Sequence, residues 1–69
     1  MKEQVLLVDD EPGILRVLGI SLADRGYLVM TAESGEEALR VFHETRPEVI
    51  LTDIKMPGMD GIELLKRIK

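Results

Sequence analysis

The chain has 69 residues, a net charge of −4 and no cysteine. That is room for one small domain, which buries only about 60% of the surface its unfolded chain exposes. With 45% hydrophobic and 32% charged residues the balance is globular, whereas the acidic balance disfavours nucleic acid and anionic membranes, and disulfides and thiolate metal sites are excluded.

Aliphatic runs are far shorter than the ~18 residues a membrane helix needs. The start Met1-Lys2-Glu3 does not resemble a secretory signal. A soluble, cytoplasmic protein is the expectation.

The first element is the continuous apolar run Val5 to Val8, the pattern of a central strand buried on both faces. It ends in carboxylates, Asp9 and Asp10, then Glu11. Pro12 suits a first helical position and opens a helix with Ile14, Leu15, Val17, Leu18 and Leu22 on one broad stripe, closing at Gly26. Tyr27 to Ala32 reads as a second strand, with Tyr27, Val29 and Thr31 on one face and Leu28, Met30 and Ala32 on the other.

Ser34 and Glu37 have the spacing of a capping box and start a second helix carrying Ala38, Leu39 and Phe42. Glu36 and Glu37 suit its positive end. Pro47 stops that helix and introduces a third strand, Val49 to Thr52. Beyond the Met56-Pro57-Gly58 turn, Asp60 and Glu63 repeat the capping pattern before a last helix with Ile62, Leu65 and Ile68 on its apolar side. The only histidine, His43, is expected on the solvent side of the second helix.

The order βαβαβα predicts an α/β fold, half of a flavodoxin-like doubly wound sheet. Right-handed crossovers, the rule in about 98% of such connections, limit the topology. A site shared by the first and third strands requires sheet order 2-1-3, the first helix on one face and the second and third on the other. Ligands in such sheets bind at the carboxyl ends of the strands where the order reverses. Asp9, Asp10 and Asp53 are expected there.

Three carboxylates placed together disfavour one another's ionised form, and a hard divalent cation relieves the conflict. Mg²⁺ needs few protein oxygens and keeps several waters, which phosphate oxygens can replace. Asp53, alone on its strand end, is the candidate nucleophile towards phosphorus, and Asp9 with Asp10 the cation-holding pair.

Asp9-Asp10-Glu11-Pro12, then Ser34-Gly35-Glu36-Glu37-Ala38-Leu39, then Asp53-Ile54-Lys55-Met56-Pro57-Gly58-Met59-Asp60-Gly61 resembles the receiver domain of bacterial two-component response regulators. The resemblance implies that Asp53 is the phosphoacceptor, charged by a histidine kinase, a histidine phosphotransfer protein or a small phosphodonor. It implies Mg²⁺ held by Asp10 directly, by Asp9 mainly through water, and by Asp53 and the Lys55 backbone carbonyl. It further implies that Ile14 and Val17 lie where the histidine-bearing partner docks.

A receiver continues through two more strands and helices, with a Ser or Thr and a Lys that contact the phosphoryl group. This sequence therefore looks like the amino-terminal half of one, a single truncated receiver domain over 1–69. Impaired phosphorylation and self-association through an exposed third strand are the expectations that follow. The alternative reading is a self-associating or complementing half-domain without signalling activity. A haloacid-dehalogenase-type phosphatase fits less well, since it needs Asp-x-Asp where Asp9 and Asp10 are adjacent.

Overall fold

The structure is a computed structural model and describes residues 3–52 and 61–68. It contains strand β1 (Gln4–Val8), helix α1 (Pro12–Asp24), strand β2 (Leu28–Ala32), helix α2 (Gly35–Thr45), strand β3 (Val49–Thr52) and helix α3 (Gly61–Ile68). The three strands form one parallel sheet in the order β2-β1-β3. This is the topology the sequence predicts.

Strand β1 is central, and Val5, Leu6, Leu7 and Val8 are all buried. Alternation along the strand divides them between two cores. Leu6 and Val8 pack with Ala32, Ala38 and Leu64, joined by Met30, Phe42 and Ile50. Val5 and Leu7 pack with Leu15, joined by Leu22, Tyr27 and Val29. Helices α2 and α3 therefore cover one face of the sheet and α1 the other.

The ends of the helices follow local chemistry. Pro12 stands at the start of α1, where its missing N–H leaves no intrahelical bond unmade. At the other end Gly26, at φ +95°, takes the left-handed conformation. There the Gly26 N–H donates to Ala23 O and the Tyr27 N–H to Leu22 O, the paired closure of a Schellman motif. Leu22 and Tyr27, which flank this turn, both reach the Leu15 core.

Ser34 caps α2, its hydroxyl accepting the Glu37 N–H at 3.1 Å. The reciprocal bond of the expected capping box is displaced by one residue, because the Glu37 carboxylate accepts from Glu33 N–H rather than from Ser34. Helix α2 ends at Thr45, one residue earlier than Pro47 alone requires. Arg46 turns the chain out at φ 51°, and its guanidinium lies 5.2 Å from the centre of the Phe42 ring. His43 is exposed and meets the same ring edge-on.

Two apolar faces differ from expectation. On α3 the buried residues are Gly61 and Leu64, the latter fully inaccessible, while Ile62 and Leu65 are 53% and 43% exposed. Gly61, Leu64 and Ile68 lie on one side of the helix at helical spacing, and that side meets α2 and β1. On α1 only Leu15 is buried, with Leu22 partly so; Ile14, Val17 and Leu18 remain exposed. The helix packs over β1 and β2 and leaves the α1 side of β3 uncovered, which removes the surface those residues would otherwise meet.

The assignment of the α3 face is testable by urea denaturation. Leu64→Ala is expected to destabilise the chain by about 2–5 kcal/mol. Leu65→Ala should stay within roughly 0.5 kcal/mol of the parent, as exposed positions do. Equal losses at the two positions would contradict this packing.

Candidate functional site

The candidate site begins where β1 ends. Val8 pairs with Ala32 of β2 and with Thr52 of β3. The ladder continues one step further, since the Asp9 N–H donates to Ala32 O at 3.1 Å. Asp9 is therefore held by its backbone at the carboxyl edge of the central strand, half-buried, while Asp10 beside it is exposed.

The Asp9 side chain is fixed as well. Its Oδ1 accepts the Glu11 N–H at 3.0 Å. The Glu11 carbonyl in turn accepts from the N–H groups of Ile14 and Leu15. Leu15 is buried against Val5 and Leu7. Core packing of α1 is thus transmitted through its first turn to one carboxylate. Glu11 is the N-cap of α1, in extended conformation, and its own side chain makes no cap bond.

The acidic run accordingly separates into three roles. Asp9 is oriented, Asp10 is exposed and has no partner among the described residues, and Glu11 serves the helix start through its backbone. Among the described residues no three His, Cys, Asp or Glu side chains gather closely enough to hold a metal. The calls on Asp53 and on the Lys55 carbonyl lie outside the described residues. Thr52, immediately before Asp53, is half-buried at the end of β3. Asp9 and Asp10 supply hard carboxylate oxygens, the donor type that suits Mg²⁺, and they leave most of its coordination to water or other oxygens.

Beside this edge lies an open groove of about 370 Å³ between α1 and β3. Leu7, Ile14, Leu18 and Leu51 line it, with Asp9 and Thr52 also on its wall. Ile14 belongs to the groove, whereas Val17, 66% exposed, does not line it. At the opposite edge of the sheet the Glu48 carboxylate accepts the Gln4 N–H at 2.7 Å, tying β3 to β1 far from the acidic end.

The family model of the response regulator receiver domain matches residues 5–69. The chain belongs to that family. Over all 69 of its residues it is 45% identical to sporulation initiation phosphotransferase F of Bacillus subtilis, covering 56% of that protein. It is 46% identical over 65 residues to the transcriptional regulatory protein GlrR of Escherichia coli, covering 94% of this chain and 15% of that one.

Among solved structures, the chemotaxis protein CheY4 of Vibrio cholerae superposes with a TM-score of 0.95 at 40% identity, over 99% of this chain and 57% of that one. The response regulator TrrA of Thermotoga maritima, solved in complex with Mg²⁺-BeF, gives a TM-score of 0.91 at 44% identity, over 99% and 58% of the two chains. The receiver chain spans little more than half the length of these neighbours.

The bond from Glu11 to Asp9 was not read from the sequence. An Asp followed two residues later by a helix N-cap is a signal for it, because Asp side chains accept from the amide two positions on. Asp9→Ala is expected to lower stability by about 1 kcal/mol through loss of that bond, and Asp10→Ala to change it by less than roughly 0.5 kcal/mol. Chemical denaturation of the two variants measures the difference, and equal effects would contradict the distinct roles given to the two aspartates.

Proposed function

We propose that the chain is the phosphoacceptor receiver module of a two-component signalling system. In this reading Asp53 accepts a phosphoryl group from a histidine kinase or histidine phosphotransfer protein, with Mg²⁺ held by Asp9, Asp10, Asp53 and the Lys55 backbone carbonyl. One observation carries it: Val8, immediately before Asp9, is the register partner of Thr52, immediately before Asp53. Family membership and the Mg²⁺-BeF complex of a 44% identical neighbour support the same reading.

The chemistry assigned to the chain is brief. A carboxylate oxygen of Asp53 forms a bond to phosphorus as the bond from phosphorus to the donor imidazole nitrogen breaks, and the imidazole leaves with a proton from water. A bound divalent cation supplies charge neutralisation for the carboxylates and the transferring oxygens. Asp9, fixed by Ala32 O and the Glu11 amide, orients that side of the site, and exposed Asp10 supplies the more accessible oxygens. Exposed Ile14 and Val17 on α1 are assigned to docking of the histidine-bearing partner.

A second reading rests on a separate observation. Among the described residues β3 is a sheet edge, and Val49 and Leu51 are exposed on the face that α1 leaves uncovered. Edges of this kind pair with other chains or pack by their apolar faces. We assign to this surface self-association or complementation by another half-domain, without signalling.

The two readings have different tests. Incubation with Mg²⁺ and a small phosphodonor should add the mass of one phosphoryl group, seen by intact mass spectrometry and abolished by Asp53→Asn. An unmodified mass, or a modification that survives the substitution, contradicts the phosphoacceptor reading. For self-association, light scattering should show mass rising with concentration and falling for Leu51→Glu. A folded monomer at every concentration contradicts it.

A further inference from the structure

We propose that the outer edge of β2, with the side of α1 above it, is a docking surface for a second copy of this chain, joined about a two-fold axis that passes Val29. The proposal is independent of the phosphoacceptor reading. It also uses the opposite edge of the sheet from β3.

The backbone supplies the first support. Among the described residues β2 pairs with β1 alone, so its other edge is open. The Leu28 N–H donates to Glu3 O at 2.9 Å and Ala32 O accepts the Asp9 N–H at 3.1 Å, so these residues turn their polar groups towards β1. Alternation along the strand turns those of Val29 and Thr31 outward. An antiparallel copy centred on Val29 meets them: the two Val29 residues exchange N–H and carbonyl, and each Thr31 N–H donates to the Tyr27 carbonyl of the other copy. The pairing needs no group already in use, since the Tyr27 N–H goes to Leu22 O and the Glu33 N–H to the Glu37 carboxylate.

The side chains make the same arrangement self-complementary. In that register Glu33 of each copy comes opposite Arg25 of the other. On α1, Gly19 lies over Val29, with the Val29 Cγ1 3.7 Å from where a Cβ would stand, so the axis passes the helix beside Gly19 and Ile20. Arg16, Ile20 and Asp24 follow one another at four-residue spacing along one side of the helix. Arg16 and Ile20 border an open trough with Tyr27, Leu28 and Val29. The two-fold sets Ile20, 59% exposed, against its own copy and places each Arg16 opposite Asp24 of the other chain.

Arg16, Asp24, Arg25 and Glu33 are all exposed, and among the described residues none of their side chains makes an ion pair or hydrogen bond. A second copy pairs every one of them with an opposite charge around an apolar centre. An unrelated extended peptide would satisfy the same backbone edge without the charge pattern, which is why a copy of this chain is the occupant that fits.

Sedimentation equilibrium at low salt tests the proposal, in chains that all carry Leu51→Glu so that association through β3 is suppressed. The chain with Leu51→Glu alone is expected to dimerise. Adding either Arg16→Asp or Asp24→Arg should weaken that dimer by about 10-fold or more, because two opposite-charge pairs become like-charge pairs. An equal mixture of these two variants should associate as the chain without them does, since every such pair in the mixed dimer is again of opposite charge. A monomer at every concentration, single variants that dimerise undiminished, or a mixture that does not recover overturns the proposal. Association that Leu51→Glu fails to reduce would count against the β3 surface alone.

A second measurement serves if the Leu51→Glu chain does not fold. In the parent chain, hydrogen exchange at the Val29 and Thr31 amides should slow as concentration rises, while the inward Leu28 and Met30 amides stay unchanged. Exchange at Val29 and Thr31 that does not depend on concentration overturns the proposal.

Discussion

Strand β1 is the constraint on which the rest depends. Its four consecutive aliphatic residues are buried on both sides, so it can only be the middle of the sheet, with a helix layer on each face. That position makes β2 and β3 its neighbours and sends Asp9 out of the sheet between them. Because Leu6 and Val8 serve one core and Val5 and Leu7 the other, a one-residue slip would exchange the two sets. Register at the acidic end is thus set by packing beneath it.

The same packing reaches the candidate site by a second route. Leu15 anchors α1, the first turn of α1 binds the Glu11 carbonyl, and the Glu11 amide holds Asp9. A carboxylate held in this way needs little reorganisation to meet a cation, which is what a site that works by positioning and electrostatics requires. Exposed Asp10 has no such support among the described residues. The unequal treatment of two adjacent aspartates is the strongest structural sign that the edge is organised and not merely acidic.

Element order was legible because each boundary carries its own local signal. Pro12, Gly26, the Ser34 and Glu37 pair and Pro47 mark helix ends by chemistry that needs no tertiary context. The buried faces were less legible. Two stripes overlap on the eight-residue α3, one through Leu64 and Ile68 and another through Ile62 and Leu65, and only the way the helix lies against α2 chooses between them. On α1 the apolar stripe is broader than the surface available, since the helix sits over β1 and β2 and not β3. Of the candidate site, the place of Asp9 and Asp10 followed from the strand pattern, whereas the side-chain direction of Asp9 depends on how the chain turns into α1. Asp53 was named from its place after the third apolar run and Lys55 from the resemblance, and both lie outside the described residues.

The central claim is that the chemistry of this receiver chain is confined to the carboxyl edge of β1 and β3. Titration of the isotopically labelled chain with Mg²⁺, followed residue by residue by amide NMR, tests it most directly. The account predicts saturable shifts at Asp9, Asp10, Asp53 and Lys55, with Gln4, Leu28 and Glu48 at the opposite edge unmoved. Shifts centred on that opposite edge, or no saturable shift at those four residues, would contradict it.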